Sequence, residues 1–226
     1  LDLTQFVQGE GGGVQAPDRP MVYHITHMQN LPSMIGYGFI YSEASLHTRG
    51  GPDAAIGMGH IKARRMEMPV CCHPGTKVGE YVPFYFCPRS VMLYLLHKGN
   101  HPELEYHGGQ SPIVHLEFYF DDLVSWADSG HREWAIAPTS AAAYYTQFFA
   151  ERSALNRIDW AAVSANDWRD QDTRERKQAE FLVRDSVPWN LVRRIGVFDD
   201  SIAERVGVLA SSGRFPVVET RQEWYY

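Results

Sequence analysis

The uneven spacing of short β-rich segments constrains this fold more than any other feature of the sequence. Candidate strands cover residues 21–27, 39–42, 81–87, 112–120, 179–184, 195–198 and 216–219. Candidate helices of varied length fall between them at 30–36, with a stop near Gly38, at 54–68 with Ile56 and Ile61 inward, and at 90–98. The middle, 121–170, reads as helical and acidic, with 141–155 its clearest helix. A doubly wound sheet needs strand and helix to alternate evenly, and this chain does not. The pattern predicts an α+β fold with a mostly antiparallel or mixed sheet. Residues 1–20 carry Gly11–Gly13, Pro17 and Pro20 without periodicity and read as a flexible arm. Residues 21–226 read as one domain, within the size a single core supports.

Charge bears on partners. The chain carries −6 overall, yet residues 60–100 hold six Lys or Arg against Glu67 and Glu80. That segment is +4, which leaves −10 on the rest. A second basic cluster runs from Arg174 to Arg194. Two basic segments in an acidic chain can converge on one phosphate-binding face, although a charge run is more often a solvated surface. Cys71, Cys72 and Cys87 lack zinc or redox spacing and read as reduced thiols. No apolar run reaches membrane-spanning length, and no signal-peptide pattern opens the sequence, so the expected place is the cytoplasm.

Four blocks can carry chemistry. In Tyr23-His24-Ile25-Thr26-His27, followed by Asn30-Leu31, His24 and Thr26 share one face of a strand and could grip a ribose or an amide. Zinc would need further ligands at a recognisable spacing, and none stands there. In Ile61-Lys62-Ala63-Arg64-Arg65 consecutive arginines diverge by about 100°, so only one of them can face a site, and a solvated helix face is the plain alternative. The run Tyr81 to Ser90 ends in Arg89. Its aromatics could stack bases, or form a buried strand closed by an N-cap at Ser90. Glu180 opens an apolar strand, where an acid is costly without a task. Glu175 and Lys177 have the E-x-K spacing of metal-dependent nucleases, but Asp172 and the strand start are misplaced for that chemistry.

Together with Gly108-Gly109-Gln110, Pro188-Trp189 and Trp224-Tyr225-Tyr226, these blocks in this order resemble the DarT family of DNA ADP-ribosyltransferase toxins, over about residues 21–226. The resemblance implies an ADP-ribosyltransferase-like fold, a split, twisted mixed β-sheet core with surrounding helices. It implies NAD as co-substrate and no metal. His24, Thr26, Asn30 and Arg65 would bind NAD, with Arg65 and Glu180 catalytic. Single-stranded DNA would be the acceptor, modified at thymidine in the branch most resembled and at guanosine in another. A DarG-type antitoxin with a macrodomain would be the partner. Arg64, Arg89 and Lys98 would hold DNA phosphates, with Tyr85 among the stacking aromatics. Gly79-Glu80 stands where the family commonly has His-Asp, and Val91 where it commonly has Pro.

Overall fold

The computed structural model describes residues 14–210 and 215–226. Seven strands form one sheet in the order β5-β6-β3-β1-β4-β8-β9. They are β1 (Met21–His27), β3 (Tyr81–Tyr85), β4 (Ile113–Tyr119), β5 (Trp134–Ala137), β6 (Glu180–Arg184), β8 (Arg194–Val197) and β9 (Val217–Thr220). A small second sheet pairs β2 (Phe39–Tyr41) with β7 (Ser186–Pro188). In the large sheet only β8 and β9 run parallel, with α8 (Asp200–Gly207) between them in the chain. The α+β expectation with a mixed sheet holds.

The core lies where aromatic strand residues meet. Phe84, Phe118, Phe120 and Phe181 are fully buried. Phe84 meets Phe118 edge-on at 5.2 Å, and Phe120 meets Phe181 at 4.8 Å. Truncating such a ring typically costs about 3–5 kcal/mol, because the cavity does not close. The aromatic run at 81–86 is therefore mostly core: Tyr81, Phe84 and Phe86 are buried, and Tyr85 is only partly covered. The helix that follows, α4 (Val91–Lys98), is capped by Ser90, whose Oγ accepts from the Leu93 N–H at 3.2 Å.

Two expected helices are corrected. The helix read at 54–68 is α3 (Gly59–Glu67) alone. Ahead of it the Asn30 side chain, which caps no helix, takes both backbone groups of Ala54 and holds that segment irregular. The helix read at 141–155 is absent. Phe149 exchanges both backbone hydrogen bonds with Ile136 at 2.8 and 3.0 Å, an extended bridge, and only residues 152–157 turn as a 3-10 helix. The acidic middle does contain α5 (Phe120–Ser129), whose apolar face, Leu123, Val124 and Ala127, is buried.

Of the expected arm, residues 1–13 lie outside the described residues. Residues 14–20 lie against the domain, with Pro17 and Pro20 buried and Arg19 stacked 3.3 Å over the Tyr119 ring.

Candidate active site

The large sheet is nearly divided in two. β1 pairs with β4 over seven residues and β3 with β6 over five, but β1 and β3 pair only at Tyr23 and Tyr85. Pro83 offers no N–H where a ladder would continue. Across the parting, His24 Nδ1–H donates to the Pro83 carbonyl at 2.9 Å. That bond leaves Nε2 as an acceptor. Burial holds the His24 pKa below its ordinary value, so the ring is neutral at pH 7.

A cleft of about 410 Å³ opens beside this parting. His24, Thr26, Asn30, Arg65 and Tyr85 all line it, so the structure brings together residues separated by up to 61 positions. Asn30 is 6% exposed and spends its whole amide on positioning. Its Nδ2 donates to Thr26 Oγ1 at 2.9 Å and to the Ala54 carbonyl at 2.9 Å, while Oδ1 accepts from the Ala54 N–H at 2.8 Å. It thereby ties the cleft wall at residues 50–58 to the end of β1. Thr26 Oγ1 receives that bond and keeps its own proton to donate.

Arg65 lines the cleft, and Glu180, 115 positions away, is buried behind it. Arg65 Nη1 lies 2.9 Å from Glu180 Oε2 and 3.2 Å from Oε1. Oε1 also accepts the Ala141 N–H at 2.9 Å. Glu180 is 2% exposed and stands opposite Tyr85 across the β3–β6 pair. Burial, reinforced by the Glu180 charge, pushes the Tyr85 phenol pKa up. Arg65 covers the carboxylate, and its Nη2 is buried without a partner among the described residues. An unfilled guanidinium donor beside a cleft is a ready contact for an anionic or hydroxyl-bearing ligand.

The neighbouring Arg64 diverges, as the helical twist requires. Its Nη1 donates to the Ala142 carbonyl at 3.4 Å, and its guanidinium lies 5.2 Å from the Tyr144 ring centre. Arg89 and Lys98 do not line this cleft. Arg89 stacks 4.5 Å over the Tyr226 ring, and Lys98 Nζ lies 5.5 Å from the Tyr94 ring centre. Sequence reasoning missed Tyr144 and Tyr145, which are 81% and 63% exposed on the segment that contacts Glu180. Two adjacent tyrosines were the available signal, hidden inside a segment read as helix. Gly79, at the family's departure, also lines the cleft; a Cβ there would stand 3.1 Å from the Met66 Cα, so a larger residue would displace the end of α3.

The nuclease alternative loses its geometry. Glu175 sits on α7 (Gln171–Arg176), and Lys177 Nζ donates to the Val163 carbonyl. Among the described residues no group of three His, Cys, Asp or Glu side chains could hold a metal ion. Nor is any helix among them long and apolar enough to cross a membrane.

Comparison with known proteins decides the family. The family described as "ssDNA thymidine ADP-ribosyltransferase, DarT" matches residues 23–226. The chain belongs to the DarT family. A "DNA ADP-ribosyl transferase" of Thermus aquaticus is 37% identical over 219 residues, covering 95% of this chain and 92% of that protein. Thermus sp. 2.9 DarT, solved with ADP-ribosylated ssDNA, superposes with a TM-score of 0.85 at 33% identity, covering 94% of this chain and 99% of that one. The same DarT solved with NAD+ gives a TM-score of 0.80 at 32% identity, over 93% and 99%. A Thermosipho africanus "DNA ADP-ribosyl transferase-DNA ADP-ribosyl glycohydrolase fusion protein" is 26% identical over 200 residues, covering 87% of this chain and 47% of that protein.

Proposed function

We propose that this DarT-family chain is a toxin that transfers ADP-ribose from NAD to a thymidine base of single-stranded DNA. The observation that carries the reading is the Arg65–Glu180 pair, with Arg65 lining the cleft beside the parted sheet and the Glu180 carboxylate buried directly behind it. Thermus sp. 2.9 DarT has been solved with both NAD+ and ADP-ribosylated ssDNA, which supports NAD and single-stranded DNA as the two substrates.

In the reaction the bond between nicotinamide and ribose breaks, and nicotinamide leaves with the electron pair. The ribose carbon passes through an oxocarbenium-like state, the kind glycosidases stabilise with carboxylates. A base nitrogen bonds to that carbon and gives up its proton. Glu180 supports the positive ribose, a contact worth most in the transition state. Arg65 sits over the Glu180 carboxylate, so NAD reaches Glu180 by drawing Arg65 aside. Arg65 then stabilises charge on the acceptor base, because a guanidinium offers hydrogen-bond donors and no acceptor. His24 and Thr26 present Nε2 and a hydroxyl proton to the nicotinamide side, and Asn30 holds the wall around them.

Acceptor DNA meets the opening between Tyr85, Arg64 and the exposed Tyr144 and Tyr145. Bases stack on aromatic faces only when unpaired, which favours a single strand. Residues 21–226 act as one transferase domain. The reaction belongs in the cytoplasm, where DNA and NAD meet. A DarG-type antitoxin with a macrodomain is the partner; the Thermosipho africanus fusion of transferase and glycohydrolase is consistent with such a pairing.

Mass spectrometry of oligonucleotides incubated with NAD and the protein tests the reading. A single strand containing thymine gains one ADP-ribose, and duplexes and thymine-free strands stay unlabelled. Labelling of a guanine-containing, thymine-free strand would move the acceptor to guanosine, and no labelling of any strand would overturn the function.

A further inference from the structure

A second cleft, of about 360 Å³, lies beyond the strand ends that carry Glu180 and Tyr85. Lys177 comes three residues before Glu180 and lines it; three residues span at most about 11 Å. Arg89 enters from the other strand, four residues after Tyr85.

Lys177 is 3% exposed, and its ammonium donates to the Val163 carbonyl at 2.8 Å. Its other polar neighbour is the buried Cys87 thiol, whose pKa burial raises and the lysine charge pulls back. Among the described residues neither Lys177 nor Arg89 has a carboxylate within ion-pair distance. Arg89 Nη1 donates only to the Asn166 amide oxygen at 3.2 Å, and its Nε is buried without a partner. Asp18 and Glu117 are the acids in the lining. Glu117 is already taken by Arg193 at 2.6 Å and Arg194 at 3.3 Å.

The cations are held in place from behind. The Tyr226 ring lies under the Arg89 guanidinium, and its hydroxyl donates to the Arg89 carbonyl at 2.8 Å. His115 Nε2–H donates to the Pro88 carbonyl at 2.9 Å, fixing the same turn. A buried ammonium and a pre-oriented guanidinium lining one cleft, both lacking an ion-pair partner among the described residues, call for an anion. A tetrahedral phosphate suits a lysine point charge next to an arginine fork.

We propose that the Lys177–Arg89 cleft is a phosphate subsite that takes a backbone phosphodiester of the acceptor strand, separate from the cleft that holds NAD. This rests on the reading of single-stranded DNA as acceptor. It also gives Arg89 a place away from the reacting base.

Fluorescence anisotropy of a labelled, thymine-containing single strand tests it across a salt series. Arg89→Gln and Lys177→Met should each weaken binding about tenfold, as loss of a charge-assisted contact does. Each should make the slope of log K against log salt shallower by about 0.7, the value for one phosphate contact on a single strand. Arg169→Gln, at an exposed position outside the cleft, serves as the control. Thermal melting checks folding, and the more exposed Arg89 variant carries the test if Lys177→Met is unstable. Folded Arg89→Gln with wild-type affinity and slope overturns the subsite alone. If, in addition, inorganic phosphate raises the melting temperature of wild type but not of that variant, the cleft takes free phosphate instead of a strand. A wild-type protein that binds no strand overturns both the subsite and the acceptor reading.

Discussion

Replacing Glu180 by Gln separates the chemistry of this site from its architecture. The amide keeps the volume and can still accept the Ala141 N–H, which the carboxylate takes at 2.9 Å. What it loses is the charge facing Arg65 Nη1 at 2.9 and 3.2 Å. A hydrogen bond to a charged group contributes about 1.5–3 kcal/mol, and Arg65 retains some access to water, so a stability loss of about 2 kcal/mol is expected. For a domain of this size that lowers Tm by about 4–8 °C, which leaves the protein folded at assay temperature. The rate should suffer more. Removing one preorganised electrostatic group costs about 10²–10³ in kcat, or about 3–4 kcal/mol of transition-state stabilisation. Nicotinamide departure precedes both outcomes of the reaction. NAD hydrolysis by water and DNA labelling, measured in parallel, should therefore fall by the same factor. Folded Glu180→Gln with near-normal labelling would refute the assignment. A fall in labelling with hydrolysis intact would place the carboxylate on the acceptor side instead of on the ribose.

Three further outcomes follow from the geometry. Asn30→Ala removes three hydrogen bonds that tie residues 50–58 to β1, so KM for NAD should rise about tenfold with a smaller change in kcat, and limited proteolysis should cut that segment faster. Tyr144→Ala should raise KM for the oligonucleotide about tenfold or more while sparing NAD hydrolysis, because stacking contributes about 1–3 kcal/mol per base. His115 is fully buried, and burial brings its pKa from 6.5 down to about 4. The unfolded chain therefore binds the extra proton first, so the stability due to neutral His115 is intact above pH 6.5 and lost as pH falls toward 4. That loss is about 2 kcal/mol by pH 5. Urea midpoints at pH 8 and pH 5 should differ more in wild type than in His115→Gln, where buried His24 still contributes.

The sheet was legible because its strands carry local signals. β1, β4 and β6 are apolar runs with turn residues at their ends, and Gly38 closes α1 (Leu31–Tyr37) at φ 72°, a conformation glycine adopts without strain. The two misread helices had local signals that distant partners overrode. Ala54 is committed to Asn30, and the segment after Ala141 to Glu180 and Ile136. No spacing rule connects Arg65 with Glu180 across 115 positions; they were found through the order of family motifs. Tyr85 lines the cleft, whereas Arg64, Arg89 and Lys98 do not, because nothing in a charge run encodes which side of a helix or strand end it reaches.

The parting between β1 and β3 has a consequence for how the molecule opens. In the ladder itself, one strand pairing and one imidazole bond join the block β5-β6-β3 to the block β1-β4-β8-β9, while below the sheet the Phe84–Phe118 ring contact packs the two together. Cooperative units in proteins tend to follow such seams. Amide hydrogen exchange should then resolve two protection blocks whose openings are partly independent in the free protein. The proposed NAD cleft is lined from both blocks, by His24 and Thr26 on one side and Pro83 and Tyr85 on the other, so NAD bound there would turn its binding energy into coupling between them. Saturating NAD should merge the two blocks into one, so that the co-substrate acts as the missing stretch of ladder.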